Sequence, residues 1–560
     1  MSTDDESFHP LGQEWEGELE NMLDDTEYDT DLGMQMAQDA MRVTKGELSE
    51  AEFHEMYHDD VMEEFGEDQR PTQEAFEAAQ EEAKGTVSRM LSAFDGDGEE
   101  SRRDVMKKMG VGAATVGMGA FGSTIDGKPS LAGEGEGHGG SHSQAEQNED
   151  LQWGMTIDLE RCDGCLSCME ACASENDLDQ GVNWMYVMAF EDELTSGGSP
   201  APDNIVGGTS DHNMLVRPCQ HCTDAPCEKV CPTTARHTRD KDGLVLTDYD
   251  VCIGCRYCQV ACPYGVNYFQ WDEPDVAHED INGHDGAEVD DPEEITHAEY
   301  ENGTERWVDS RSPRGTMSKC TMCPSMQDGR QGEERVGTTA CERACPPDAI
   351  QFGNVKDERS DASQHGEHPS KSRAIIEISG DVPDPETIDA QLSEGDDLEA
   401  VLGNEELDLN AEVVSIMKAV QIVSEEEGLE PGDEENNTIL EGQVTIVESV
   451  TALEEYVDLE SEAALTELQL GDGEASDANA RLREFAGNPS SKFKLLEDIG
   501  THPNITYIGQ EPGPEAEQVE GPSEYSDISY ERSDGSEVDL VDKRQEILDE
   551  GTVGDVGWSL

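Results

Sequence analysis

Sixteen cysteines, all between residues 162 and 345, constrain this 560-residue chain more than any other feature. They fall into four groups of four with none left over. The groups are Cys162, Cys165, Cys168 and Cys172; Cys219, Cys222, Cys227 and Cys231; Cys252, Cys255, Cys258 and Cys262; and Cys320, Cys323, Cys341 and Cys345. Groups one and three share the spacing C-x2-C-x2-C-x3-C; group two widens the middle gap to four residues and group four to seventeen. Groups two, three and four end in Cys-Pro. A compact loop that presents a thiolate at every third residue can grip three corners of an iron–sulfide cube. The fourth corner must be reached from elsewhere, and in two-cluster proteins the last cysteine of one run ligates the other cluster. The proline that follows cannot continue a helix and has no N–H to leave unpaired.

Zinc and disulfides account for less of this pattern. Zinc sites take four ligands in paired C-x2-C units and need neither a third cysteine three residues on nor Cys-Pro, so a zinc-stabilised scaffold is the alternative of another class. Disulfides suit exported proteins, but cysteines three apart on one tight loop bridge each other poorly.

Loop lengths bear on the pairing of the groups. Twenty residues, "PTTARHTRDKDGLVLTDYDV", join groups two and three. They read as a hairpin, with strands near Ala235–Arg239 and Leu244–Thr247 and a turn at Asp242-Gly243. That unit is nested between groups one and four, which then pair with each other. The ligand sets become Cys219, Cys222, Cys227 with Cys262; Cys252, Cys255, Cys258 with Cys231; Cys162, Cys165, Cys168 with Cys345; and Cys320, Cys323, Cys341 with Cys172. Pairing of neighbours, one with two and three with four, is the alternative.

The formal net charge is -93, and hydrophobic residues make up only 34% of the chain. Acid is spread through the motif-rich segments as well as the ends, which reads as adaptation to high salt. At molar ionic strength the Debye length falls to about 3 Å and acidic side chains repel little. Such a charge argues against nucleic acid or anionic lipid as a partner. No apolar run reaches the length that spans a bilayer. "SRRDVMKK", Ser101 to Lys108, followed by the weakly apolar "MGVGAATVGMGAF", is similar to a twin-arginine export signal. Val105 stands where that signal usually has phenylalanine, and the alternative is a basic linker.

The organisation read from composition is an acidic helical region over residues 1–100, the signal-like segment 101–132 and a flexible linker 133–150. A four-cluster ferredoxin domain over 151–355, an acidic insertion of mixed helix and strand over 356–484, a closing segment over 485–510 and an acidic tail over 511–560 follow. Within the first region Ser49 and Glu52 form a capping box ahead of Phe53, Met56, Tyr57 and Val61 at helical spacing. The expected fold class is α+β: two nested bacterial-ferredoxin-like, βαβ-type two-cluster modules with acidic insertions and a helical N-terminal region.

"GMTIDLERCDGCLSCMEACASEND", "RPCQHCTDAPCEKVCPTTA", "CIGCRYCQVACPYGVNYF" and "SPRGTMSKCTMC" with "ACERACPPDAIQFG" resemble the iron–sulfur subunits of the dimethyl sulfoxide reductase and polysulfide reductase family. "KFKLLEDIGTHPNITYIG" is similar to that family's closing segment. The resemblance implies nested pairing and, because Cys255 is not the tryptophan that nitrate reductase beta subunits carry in group three, four [4Fe-4S] clusters. It implies a non-catalytic electron-transfer subunit that links a molybdopterin catalytic subunit to an integral-membrane quinone-reactive subunit. With the export signal, this implies a peripheral position on the extracytoplasmic face of the cytoplasmic membrane, the cytoplasmic face being the alternative. A quinol-oxidising complex that feeds a copper protein or cytochrome is the alternative function. His221 is expected to donate a hydrogen bond beside a cluster rather than to ligate. Trp184, Tyr186, Tyr264 and Tyr268 are candidates for water shielding or for ordinary core packing.

Overall fold

The structure, a computed structural model, describes residues 13–24, 26–71, 151–191, 213–277, 298–301, 304–308, 310–393, 395–429, 436–513, 516–519 and 521–542. The segment Ser101–Lys108, the apolar run after it and the linker 133–150 lie outside them. Residues 1–47 and 142–560 make one compact unit, and residues 48–141 a second.

The second unit contains the helix Glu50–Phe65. Ser49 caps it in the expected box with Glu52, and it ends at Gly66 with φ +78°, where glycine enters the left-handed region without a Cβ clash. Phe53, Tyr57 and Val61 are buried, but Met56 is 50% exposed. The buried arc runs through His54 instead, and Met56 falls outside it.

In the first unit a four-stranded sheet has the order Ile350–Asn354, Trp153–Asp158, Ile505–Ile508, Lys492–Phe493. The strand before group one pairs antiparallel with the strand after group four, Trp153 opposite Asn354, and parallel with the closing segment, Met155 opposite Ile505. Both ends of the cysteine-rich region are thus tied to one sheet. Between groups two and three the hairpin forms with strands Arg236–Thr238 and Val245–Thr247, and Gly243 takes φ +74° at its turn.

Two N-terminal helices, Gln13–Asp24 and Thr30–Thr44, pack on this unit beside group three. Gly33 makes the approach possible: a Cβ there would sit 2.7 Å from both Leu23 and Tyr257. Tyr257 Oη donates to the Asp29 carbonyl at 2.7 Å, and Arg256 Nη1 to that of Met22 at 3.1 Å.

The acidic insertion folds, among its described residues, as helices alone. Eight of them, from Asp361–Glu367 to Ala475–Ala486, enclose one apolar core that includes Ile375, Met417, Val420, Ile446, Val450 and Leu482. The expectation of mixed helix and strand came from β-branched residues in "GQVTIVESVTALEEYV". That stretch lies in the helix Thr438–Glu454, capped by Asn437, because burial of one face outweighs a weak strand propensity.

The tail also departs from expectation. Glu517–Val519 adds a strand to Tyr186–Glu191, and Tyr530 Oη donates to the Leu178 carbonyl at 2.7 Å. The described residues 516–519 and 521–542 are therefore part of the fold. No described helix is long and apolar enough to cross a membrane.

Candidate functional site

The four cysteine loops repeat one backbone device. The residue before the second cysteine is left-handed in each: Gly164 at φ +70°, His221 at +43°, Gly254 at +69° and Met322 at +59°. Such alternation turns successive N–H groups inward and makes an anion-binding concavity. In three loops the N–H of the left-handed residue reaches back to the first sulfur: Gly164 to Cys162, Gly254 to Cys252 and Met322 to Cys320. Gly254 is also required by space, since a Cβ there would collide with the Gly315 carbonyl oxygen. In groups one and three a second left-handed residue, Leu166 or Arg256, precedes the short helix that carries the third cysteine.

The Cys-Pro ends repeat a second device. Proline stops the helix, and the chain bends until a later N–H meets the sulfur. Arg236 N lies 3.3 Å from Cys231 Sγ, and Ala349 N lies 3.3 Å from Cys345 Sγ. The N–H groups of Tyr264 and Val266 do the same for Cys262. Side chains add to these: Thr339 Oγ1 is 3.3 Å from Cys341 Sγ, and Arg236 Nη2 is 3.6 Å from Cys258 Sγ.

Three cavities are framed by cysteines. Cys219, Cys222, Cys227 and Cys262 line one. Cys231, Cys252, Cys255 and Cys258 line a second, and Cys162, Cys165, Cys168 and Cys345 a third. Of the remaining four, Cys341 stands within electrostatic reach of Cys320. Cys323 packs with Ala340 and with Ala171, the neighbour of Cys172. Among the described residues no three His, Cys, Asp or Glu side chains converge tightly enough to share one metal ion. The sulfurs surround space instead, which suits a multi-iron cube and not a tetrahedral zinc.

The groups lie in an order that spacing does not suggest. Cys258 interacts with Cys227, joining group three to group two. The Cys219 N–H donates to Cys320 Sγ, joining group two to group four. Cys341 interacts with Cys168, joining group four to group one. The order is three, two, four, one.

Burial pushes the thiols up, Cys162 and Cys341 to about 12 and Cys252 and Cys345 to about 11. Thiolates here therefore need a cation, and iron would supply it while releasing protons. One buried cation has the reciprocal need. Arg236 is 1% exposed, and its Nε and Nη1 have no hydrogen-bond partner. A sulfide-rich anion in the adjoining cavities would satisfy them. The donor set, the inward N–H groups and this guanidinium fit an iron–sulfur cluster.

His221 is not a donor to sulfur. Its Nε2 donates to the Cys320 carbonyl at 2.9 Å and its Nδ1 accepts the Val245 N–H at 3.1 Å, so it straps the group-two loop to group four. Burial and the neighbouring Lys319 hold it well below the ordinary histidine range, and it stays neutral. Tyr264 lines the group-two cavity and shares a 2.6 Å hydrogen bond with Thr501. Trp184 is buried and donates to Ser318 Oγ at 3.0 Å. Tyr186 lies in the core under Arg217, and Tyr268 is half-buried. Of these four aromatics, Tyr264 alone lines one of the three cavities. Sequence reasoning missed Arg236, Thr339 and Lys319, whose Nζ binds the Val245 and Cys320 carbonyls. No spacing rule marks them.

Comparisons with known proteins follow the same lines. A family model described as the N-terminal region of 4Fe-4S ferredoxin iron-sulfur binding matches residues 9–73. A second, a 4Fe-4S dicluster domain, matches residues 210–280. A Halobacterium salinarum protein, named for the iron-sulfur subunit of dimethyl sulfoxide reductase, is 36% identical over 246 residues, 43% of this chain and 81% of its own. The menaquinone reductase iron-sulfur cluster-binding subunit of Nitratidesulfovibrio vulgaris is 32% identical, over 36% of this chain and 76% of its own. The arsenate respiratory reductase iron-sulfur subunit of a Shewanella species is 34% identical, over 38% and 86%.

Proposed function

Because the chain belongs to the iron–sulfur subunits of the dimethyl sulfoxide reductase family, electron-transfer subunits that carry [4Fe-4S] clusters, we propose that it holds four of them. In this reading it relays single electrons between an integral-membrane quinone-reactive subunit and a molybdopterin catalytic subunit. A [4Fe-4S] cluster supplies a one-electron centre whose potential follows charge, hydrogen bonds to sulfur and solvent exposure.

The proposed ligand sets are nested: Cys219, Cys222, Cys227 with Cys262; Cys252, Cys255, Cys258 with Cys231; Cys162, Cys165, Cys168 with Cys345; and Cys320, Cys323, Cys341 with Cys172. The observation that carries this reading is that Cys262, Cys231 and Cys345 each line a cavity with three cysteines of another group. The chain's part is to bind and tune. Its thiolates hold iron, inward N–H groups lower the charge at sulfur, and side chains such as Tyr264 keep water out.

The group-three end suits contact with a partner. Cys252 is partly exposed, and Val251, Ile253 and Trp271 around it are 44%, 38% and 54% exposed. Exposed apolar side chains on a chain of charge -93 favour burial against another protein. We further propose twin-arginine export to the extracytoplasmic face, supported by the sequence Ser101–Lys108.

Anaerobic co-purification tests the function. A molybdopterin subunit and a quinone-reactive membrane protein are expected to accompany the tagged chain, with about four irons per cysteine group. A colourless preparation that dithionite does not change would overturn it.

A further inference from the structure

We propose that Arg236 is a shared electrostatic tuner of the group-two and group-three centres, a fixed positive charge at the junction between them that favours the reduced state of both. This rests on the ligand sets proposed above. The position comes from the hairpin between the two groups, whose first strand begins at Arg236. Its backbone N–H lies 3.3 Å from Cys231 Sγ and its Nη2 3.6 Å from Cys258 Sγ, both on the group-three cavity that Arg236 itself lines. On the other side Asn267, which holds the guanidinium, lines the group-two cavity, and the guanidinium interacts electrostatically with Cys227, Cys219 and Cys262 of that cavity.

Among the described residues no carboxylate pairs with it, and its one oxygen partner is Asn267 Oδ1 at 2.7 Å, a neutral amide. Asn267 is itself anchored by Nδ2 to the Cys258 carbonyl at 3.1 Å, so the guanidinium is held in place without being neutralised. A guanidinium stays charged at any working pH, and a buried cation without a counter-ion is strongly destabilising. The anion that offsets it must lie in the group-three cavity it lines and in the group-two cavity that its partner Asn267 lines. The charge of a thiolate-ligated cluster becomes more negative by one on reduction, so a nearby fixed cation stabilises the reduced form more than the oxidised form. The potentials of both centres rise, and that of group three, nearer to Nη2, rises more.

The test is a potentiometric EPR titration of the purified, cluster-loaded chain. Arg236→Gln is expected to weaken reduction of two of the four centres, by about tenfold at the group-three centre, equivalent to about 59 mV for one electron. The other two centres keep their midpoints, and Arg236→Lys restores most of the difference. Unchanged midpoints in Arg236→Gln, or an equal shift of all four, overturn the proposal. If Arg236→Gln does not load iron, Arg236→Met fills the same volume without a buried amide and is read in the same way. Loss of iron from both neutral variants overturns the tuning role in favour of a structural one. Failure of the ligand sets would show differently, as wild-type chain without reducible centres at groups two and three.

Discussion

Arg373, in the helix Pro369–Ile378 of the insertion, grips Asp158 of the first strand through Nε at 2.6 Å and Nη2 at 2.7 Å, with both side chains wholly buried. Asp158 ends the strand that delivers group one, and its carbonyl accepts the Cys162 N–H. Burial alone would push its carboxyl up, but His365 and Arg373 hold it below the usual carboxylate range. The insertion is thereby bolted to the foot of the group-one loop.

Arg373→Met takes the bidentate guanidinium from the buried Asp158 carboxylate and leaves it His365 and the N–H groups of Glu160 and Arg161, so the expected loss is about 3–5 kcal/mol of stability. Urea unfolding in high salt measures it. A variant that unfolds at the wild-type midpoint would show that the pair contributes nothing.

Cys262→Ser separates nested from neighbouring pairing. The centre held by Cys219, Cys222 and Cys227 is expected to lose its signal, with about one quarter of the iron, while group four is untouched. Damage at group four instead would support the neighbour arrangement.

Gly33→Val forces a side chain into Tyr257 and Leu23 and should lift the N-terminal helices from the group-three end. Faster bleaching of that centre in air, followed optically, is the expected result. A bleaching rate equal to that of the wild type would mean that the helices do not shield it.

Burial pulls His54 down to about 4, while its Nδ1 contacts the Pro71 carbonyl at 3.0 Å. The folded state binds fewer protons than the unfolded state between about pH 6.5 and 4. Stability of the helix Glu50–Phe65 therefore falls as pH drops through that window, by up to about 3 kcal/mol. Hydrogen exchange of its amides should show the slope, and His54→Phe should flatten it.

Dense like charge predicts a melting temperature that climbs with potassium chloride toward molar concentration, as screening relieves repulsion. Calorimetry across a salt series that gave a constant melting temperature would refute the high-salt reading.

Much of the site was legible because covalent spacing carries it. A loop of two residues between thiols leaves few ways to wrap an anion, and Gly164, Gly254 and the Cys-Pro ends are visible as letters. The hairpin at Asp242-Gly243 was legible for the same local reason. The helical insertion was not: Ile446 and Val450 favour strand by propensity, and burial in the apolar core with Met417 and Val420 makes them helical. His221 was expected to donate a hydrogen bond beside a cluster rather than to ligate, and it does so; that its acceptor is the Cys320 carbonyl was not legible, because that partner lies 99 residues away.

By itself the sequence determined which thiols stand together on one loop and where proline ends the helix beside them, since both depend on neighbours along the chain. The tertiary structure alone decided the order three, two, four, one, the burial of Arg236 against the group-three cavity and the folding of residues 516–519 and 521–542 onto the core. Those depend on which surfaces meet in space, and apolar burial, which drives that meeting, is non-directional and names no partner until the chain is folded.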